Sequence, residues 1–419
     1  MSYSEETLAN LELGQIEEAK KKFAWALRKD DDDTLFSLAE ELYSLGFSSM
    51  SKRTYHLLLE RYPNEDELRT ALADIAISEG QDDQALNYLS EIKATSPAYL
   101  EALLVEADLY QTQGLFEVSE QKLLTASQIA PDEEVIQFAL AELYFSIKEY
   151  RKAANYYLSL IKQGIQSYSK VNIVGRLGVS YAEIGKFEQA LGYLEQIHEK
   201  DLDPDTRFQL AVTQYQLHHE DDALRNFNKL KETDPDYATI YPYIAKIYEN
   251  KGKFGDALIT LQDGLSVDQY NIALYQDASR VAQKLGQDED AENYLRTALD
   301  QDPDNLTLVI DLSNLLVRLG RHQENLDLIQ TYQKQDQSDA RLLWNQGRSF
   351  AALDNYSDAI NDYEAAYAEL NTAPDFLSDA AVFFRNAGHR QQAISCAKAY
   401  LAIYPNDPDM NQFWDEIQE

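Results

Sequence analysis

The sequence predicts an all-α array of about twelve helix-turn-helix repeats, and three aligned columns of residues predict it. The first is a proline grid. Pro63, Pro97 and Pro131 stand 34 residues apart, and Pro235, Pro303 and Pro405 fall on the same grid once a small insertion is allowed for. With this proline as position 32, repeats start at 32, 66, 100, 134, 171, 204, 238, 272, 306, 340 and 374, after an incomplete one. The second column is position 15, which holds Gly14, Gly46, Gly80, Gly114, Gly185, Gly252, Gly286, Gly320 and Gly388, nine of the chain's 16 glycines. The third is small residues. Position 20 is Ala or Ser in every repeat except one, which has Asn325, and position 8 is Ala, Gly or Ser in the eleven repeats from residue 32 on.

Each column has a physical reason, taken in order along one repeat. Between the columns the apolar spacing is helical, so a first helix, A, runs up to position 15. Glycine there accepts the left-handed conformation that closes a helix, where another residue costs about 1–2 kcal/mol. A second helix, B, follows. Small residues at 8 and 20 let A and B approach closely, and a leucine at Ala85 or Ala257 is expected to overpack the crossing by about 1–3 kcal/mol. Large residues at 24, such as Tyr55, Leu89, Tyr157, Phe227 and Tyr363, fill the space beside it. Proline at 32 ends helix B, because it lacks an N–H and clashes with the preceding turn.

With its 34-residue period and its Leu-Gly, Tyr, Ala, Phe and Pro columns, the chain resembles the tetratricopeptide repeat (TPR), over residues 1 to about 405. The resemblance implies a right-handed superhelical solenoid that binds a partner segment in a concave groove. Departures are local: position 15 is Lys148, His218 or Asp354 in three repeats. The step from 134 to 171 carries three extra residues within 162–172, rich in Gly and Ser, which predicts a longer loop and a hinge. The expected organisation is therefore a sub-array over 1–165 (repeats 1–5), a second over 166–405 (repeats 6–12), and a cap over 406–419. Met410, Phe413, Trp414 and Ile417 lie at i, i+3, i+4 and i+7, one apolar helix face to cover the exposed last repeat.

Charge and composition narrow the class. The 419 residues carry 72 acidic and 37 basic side chains, a net charge of −35, which repels phosphate backbones and anionic membranes. Hydrophobic residues make up 44%, enough for a core. The one cysteine, Cys396, can form neither an internal disulfide nor a cysteine-based zinc site, and in the last helix B it reads as a small buried apolar residue. The N-terminus carries acid where a signal peptide needs lysine, and no apolar run approaches the roughly 18 residues of a membrane span. The expectation is a soluble cytoplasmic protein.

A repeat array works through an exposed face. Helix A packs through positions 4, 7, 8 and 11, which leaves 2, 5, 6, 9, 12 and 13 on the opposite side. In TPR proteins this stripe resembles the groove lining. Position 9 gives a ladder of carboxylates, Glu40, Asp74, Asp108 and Glu142, with Glu67 and Glu101 beside it. Val179 and Val212 follow, then Lys246, Arg280 and Arg348, with Lys284, Arg318, Arg341 and Arg385 nearby. The predicted groove changes sign midway. Clustered like charges cost repulsion, so a partner that neutralises them gains affinity and on-rate. The stripe's aromatics are Phe36, Tyr43, Phe138, Phe145, Phe208, Tyr215, Tyr243 and Trp344, and Trp344 with Arg341 and Arg348 is the strongest candidate for an acidic segment. The carboxylate-clamp pattern of chaperone-tail-binding TPRs is poorly matched: repeats nine to eleven offer Gln276, Arg280, Asp311, Arg341 and Asn345.

Chemistry is not expected. No phosphate loop, HExxH or nucleophile elbow is present. The six histidines lack metal-ligand spacing, and the acidic set Asp300, Asp302, Asp304 and Asp311 lacks the glycine and the bidentate glutamate of a calcium loop. No cofactor is expected. The leading reading is a non-catalytic interaction scaffold or adaptor with a protein or peptide partner, no nucleic acid and no integral membrane segment. The alternatives are a self-assembling homo-oligomer, such as a homodimer, and the regulatory subunit of an enzyme complex.

Overall fold

The computed structural model describes residues 2–332 and 339–418. Among them 25 α-helices run from Tyr3–Glu12 to Pro408–Gln418, and within each compact unit helix A packs on the helix B that follows it, as Tyr3–Glu12 on Ile16–Lys29 and Ala340–Ala352 on Tyr356–Leu370. Helix B ends at Arg61, Ile129, Thr233, Gln301 and Ile403, each two residues before its proline, while in the third repeat it stops early, at Ser90. The incomplete repeat before residue 32 is also a hairpin, Tyr3–Glu12 with Ile16–Lys29, opened by a capping box in which Ser2 and Glu5 satisfy each other's backbone N–H groups.

The turn at position 15 behaves as expected. All nine glycines of the column have positive φ, from +70° to +83°. The three exceptions keep the same backbone: Lys148, His218 and Asp354 have φ of 63°, 60° and 61°. The turn is therefore imposed by the packing of A on B, and these three side chains adopt a conformation that L-residues disfavour.

The small columns are buried at the crossing. Ala39, Ala73, Ala85, Ala153 and Ala257 are fully covered, and the Ser51 hydroxyl donates to the Ala39 carbonyl at 2.7 Å, tying position 20 to position 8. Two position-8 glycines are sterically required. A Cβ on Gly178 would meet Leu194 Cδ2 at 2.7 Å, and one on Gly347 would meet Tyr363 Cδ2 at 2.9 Å. Asn325, the odd member of column 20, is buried and donates to the Asn345 carbonyl and the Ser349 hydroxyl.

The chain divides into two compact units, 1–223 and 224–419. The boundary expected at 165/166 lies inside the first. The extra residues there fold as a two-stranded hairpin, Ser167–Tyr168 with Val171–Asn172, where a longer loop and hinge were expected. The hairpin is anchored: Ile173 N–H donates to the Gln166 carbonyl, and the Tyr168 ring packs 4.6 Å from Phe138. In the second unit the C-terminal helix buries Met410, Phe413 and Ile417 against the core that holds Phe376, Phe384 and Ala397.

Candidate partner-binding face

In the first unit the position-9 carboxylates fall into two environments. Glu40 and Asp108 are exposed and Asp74 is half-buried, with Glu67 and Glu101 beside them. Among the described residues no basic side chain pairs with any of the five. Glu101 and Asp108 reach solvent, yet burial and like charge hold both carboxyls above the ordinary range. For Glu101 burial leads, then the charges of Glu67 and Asp74, with the Thr70 hydroxyl offsetting part. For Asp108 burial leads, then the charge of Asp74. Two phenols face the same cluster. Tyr43 is raised by burial and by Asp74 and Asp108, and Tyr55 by burial and by Glu40, Glu101 and Asp74. Glu142, one repeat further, is different: it accepts from the Tyr157 hydroxyl and from Arg176 Nη2 at 3.2 Å.

In the second unit all the named groove cations except Lys246 have internal ion-pair partners. Arg280 pairs with Glu249 and Asp277, and Lys284 joins Glu249 at 3.1 Å. Burial raises the Glu249 carboxyl, but hydrogen bonds from Arg280 and Lys284 outweigh it and leave the group below its usual value. Lys246 is exposed and feels the same carboxylate. Arg341 is exposed and binds Asp339 through Nε at 3.0 Å and Nη2 at 2.9 Å. Trp344 Nε1 donates to Asp379 Oδ2 at 2.6 Å, Arg348 Nε lies 3.8 Å from the same oxygen, and its guanidinium sits 5.6 Å over the Trp344 ring. Arg318 holds Asp288 at 2.6 Å and Arg385 holds Glu416 at 3.2 Å.

Several stripe aromatics pack against neighbouring rings. Phe36 meets Tyr55 edge-on, Phe138 meets Tyr168, and Tyr243 stacks on Phe227. The sequence reading named the position-9 charges but missed the groups that answer two of them, Arg176 for Glu142 and Asp379 for Arg348, and the neutral Asn314 at the same position is answered by Asn345 at 2.7 Å. All three partners occupy position 6 of the following repeat, so the signal was a column, read against position 9 one repeat earlier. In repeats 3, 4 and 5 that column reads Ala71, Val105 and Ala139, opposite Glu40, Asp74 and Asp108.

Among the described residues no group of three or more His, Cys, Asp or Glu side chains is placed to hold a metal ion, and no helix is long and apolar enough to cross a membrane. Cys396 is buried, and that burial pushes its thiol up to about 11, away from reactivity at neutral pH.

Stacked A/B hairpins with an exposed helix-A face define the class: a TPR solenoid, a fold of protein–protein interaction. Models of YpiA-like tetratricopeptide repeats match residues 111–165, and of YpiA-like C-terminal tetratricopeptide repeats residues 341–407, with general tetratricopeptide-repeat models at 176–201 and 282–344. The chain is 32% identical over 399 residues to the TPR repeat-containing protein YpiA of Bacillus subtilis (strain 168), covering 95% of this chain and 94% of that one. The chain therefore belongs to the YpiA-like family of TPR proteins. Among solved structures, the Cut9–Hcn1 APC/C hetero-tetramer aligns at TM-score 0.43 and 13% identity, covering 99% of this chain and 95% of that one. YrrB, described as a TPR protein with an unusual peptide-binding site, aligns at 0.37 and 20%, covering 48% and 97%.

Proposed function

We propose that the protein is a non-catalytic scaffold or adaptor, active in the cytoplasm, that holds a partner segment along the helix-A face. The acidic stretch Glu40, Asp74 and Asp108 is its principal contact, with Glu142 at its end. The single observation behind this is the set of carboxylates without a basic partner in repeats 2–4, in a fold where Glu142, Arg280, Lys284, Arg341 and Arg348 have internal partners. Like charges left together raise the free energy of the empty face, and a cationic segment relieves it. Lys246, Arg280, Arg341, Trp344 and Arg348 form a second, weaker patch for an acidic segment, which must compete with Glu249, Asp339 and Asp379 for those cations.

Capture of partners from a lysate of the source organism tests this reading. Wild type is compared with Glu40→Lys/Asp74→Lys and with Arg280→Glu/Arg348→Glu at low salt, where exposed charges are least screened. The first double variant is expected to lose basic partners, and the second to change the list less. Identical lists from all three proteins would overturn the proposal.

A further inference from the structure

Three tyrosines occupy position 24 of helix B, and each stands beside a position-9 residue and the position-6 residue of the next repeat. In repeats 5 and 6 this trio is closed. The Tyr157 hydroxyl donates to Glu142 Oε1, Arg176 Nη2 donates to Glu142 Oε2 at 3.2 Å, and the guanidinium lies 4.3 Å over the Phe145 ring. Phe145 in turn meets Tyr157 edge-on at 6.3 Å. In repeats 11 and 12 the same trio appears with its charges transposed: Tyr363 donates to Asp379 Oδ2 at 2.6 Å, and Arg348 supplies the cation. The protein thus builds one device twice, a phenol and a carboxylate holding a guanidinium against an aromatic ring.

The third tyrosine has the device without its cation. Glu40, Tyr43 and Tyr55 stand where Glu142, Phe145 and Tyr157 stand, but the position of Arg176 is taken by Ala71. Tyr55 is only 3% exposed, its ring meets Phe36 edge-on at 5.8 Å, and among the described residues no hydrogen-bond partner reaches its hydroxyl, on which the charges of Glu40, Glu101 and Asp74 act. A buried phenol and three carboxylates with no basic partner are the complement of a planar, multiply donating cation.

We infer that the cage of Glu40, Tyr43, Tyr55 and Asp74 receives an arginine side chain from a partner segment, seated where Arg176 sits in the closed copy. This inference rests on the acidic face being the docking face. It goes further by naming the chemistry: a guanidinium, which can meet a carboxylate and a ring together, in preference to an ammonium of the same charge.

The test uses the full chain and two fluorescein-labelled Gly/Ser peptides of equal length, one with four arginines and one with four lysines, read by anisotropy at low salt. Wild type is expected to bind the arginine probe about tenfold more tightly than the lysine probe. Ala71→Arg, which supplies the missing guanidinium in cis, abolishes that preference. Ser44→Arg adds the same charge to helix A outside the cage and weakens both probes alike. Tyr55→Phe removes only the phenol hydroxyl and narrows the preference, which keeps the test decisive should Ala71→Arg misfold. Equal affinity for the two probes, or equal effects of Ala71→Arg and Ser44→Arg, sinks the arginine cage and leaves the acidic face standing. Binding of neither probe sinks both.

Discussion

Repeats 2–3 and repeats 5–6 carry the same carboxylate and the same phenol in the same register, yet one set is closed and the other open. Two side chains differ: Arg176 against Ala71, which removes the cation, and Phe145 against Tyr43 in the ring beside it. In the closed set a carboxylate, a hydroxyl and a guanidinium satisfy one another. In the open set the carboxylate and the phenol both remain unanswered. Groups of identical type and position can therefore be structural in one repeat and available for recognition in another, and only their neighbours decide which.

The comparison can be broken in four ways, from the largest expected effect down. Tyr157→Phe removes a hydrogen bond to a charged acceptor and should cost about 1.5–3 kcal/mol, whereas Tyr55→Phe should change stability by no more than about 0.5 kcal/mol. Denaturant unfolding of both variants measures the gap, and equal losses would show that Tyr55 is bonded after all. At the turn the same two repeats differ in the opposite sense. Gly46→Lys should cost about 1–2 kcal/mol, and Lys148→Gly should return a somewhat smaller gain, because glycine loses more backbone entropy on folding. Thermal midpoints that move in the same direction would contradict the shared left-handed geometry.

Charge closure comes next. Arg176→Ala should destabilise, and Ala71→Arg should stabilise, each by about 0.2–1 kcal/mol and less in high salt, because both sites are partly open to water. The smallest effect is in pH. Glu101 and Asp108 have folded-state values raised by burial and like charge, so their favourable contribution is present at low pH and is lost as pH rises through those raised values. Glu101→Gln and Asp108→Asn should therefore stabilise at pH 7 by less than about 1 kcal/mol after solvent screening, with the gain vanishing toward pH 4. Glu249 runs oppositely. Its folded-state value is lowered, so the penalty of Glu249→Gln is present at pH 7 and fades as pH falls through that lowered value. Unfolding series at several pH values that slope alike for Asp108→Asn and Glu249→Gln would refute the assignment.

Much of the fold was legible in the sequence because a repeat states the same constraint many times. Gly46, Ala85 and Pro131 each report a local requirement, a left-handed turn, a close crossing or a helix stop, that recurs at fixed spacing. The cap was legible too, since Met410, Phe413 and Ile417 follow helical periodicity. The fate of the insertion was not: Ser169 and Lys170 form a hairpin turn with φ of 45° and 70°, a conformation neither residue advertises. The candidate face was half legible. Position 9 shows its charges, but whether Glu142 is answered and Glu40 is not depends on Arg176, 34 places on, and Ala71, 31 places on, and distance in sequence hides what stacking brings together.

The glycines at position 8 carry a last consequence, for recombination. Because Gly178 makes room for Leu194 and Gly347 for Tyr363, the first helix of one module cannot be grafted onto the second helix of another at will. In the eleventh repeat an alanine in place of Gly347 would set its methyl 2.9 Å from the Tyr363 ring, which would have to move. Repeats 2 and 5 pair alanine at position 8 with Tyr55 and Tyr157, so the constraint belongs to the Gly178–Leu194 and Gly347–Tyr363 hairpins, which must be exchanged whole.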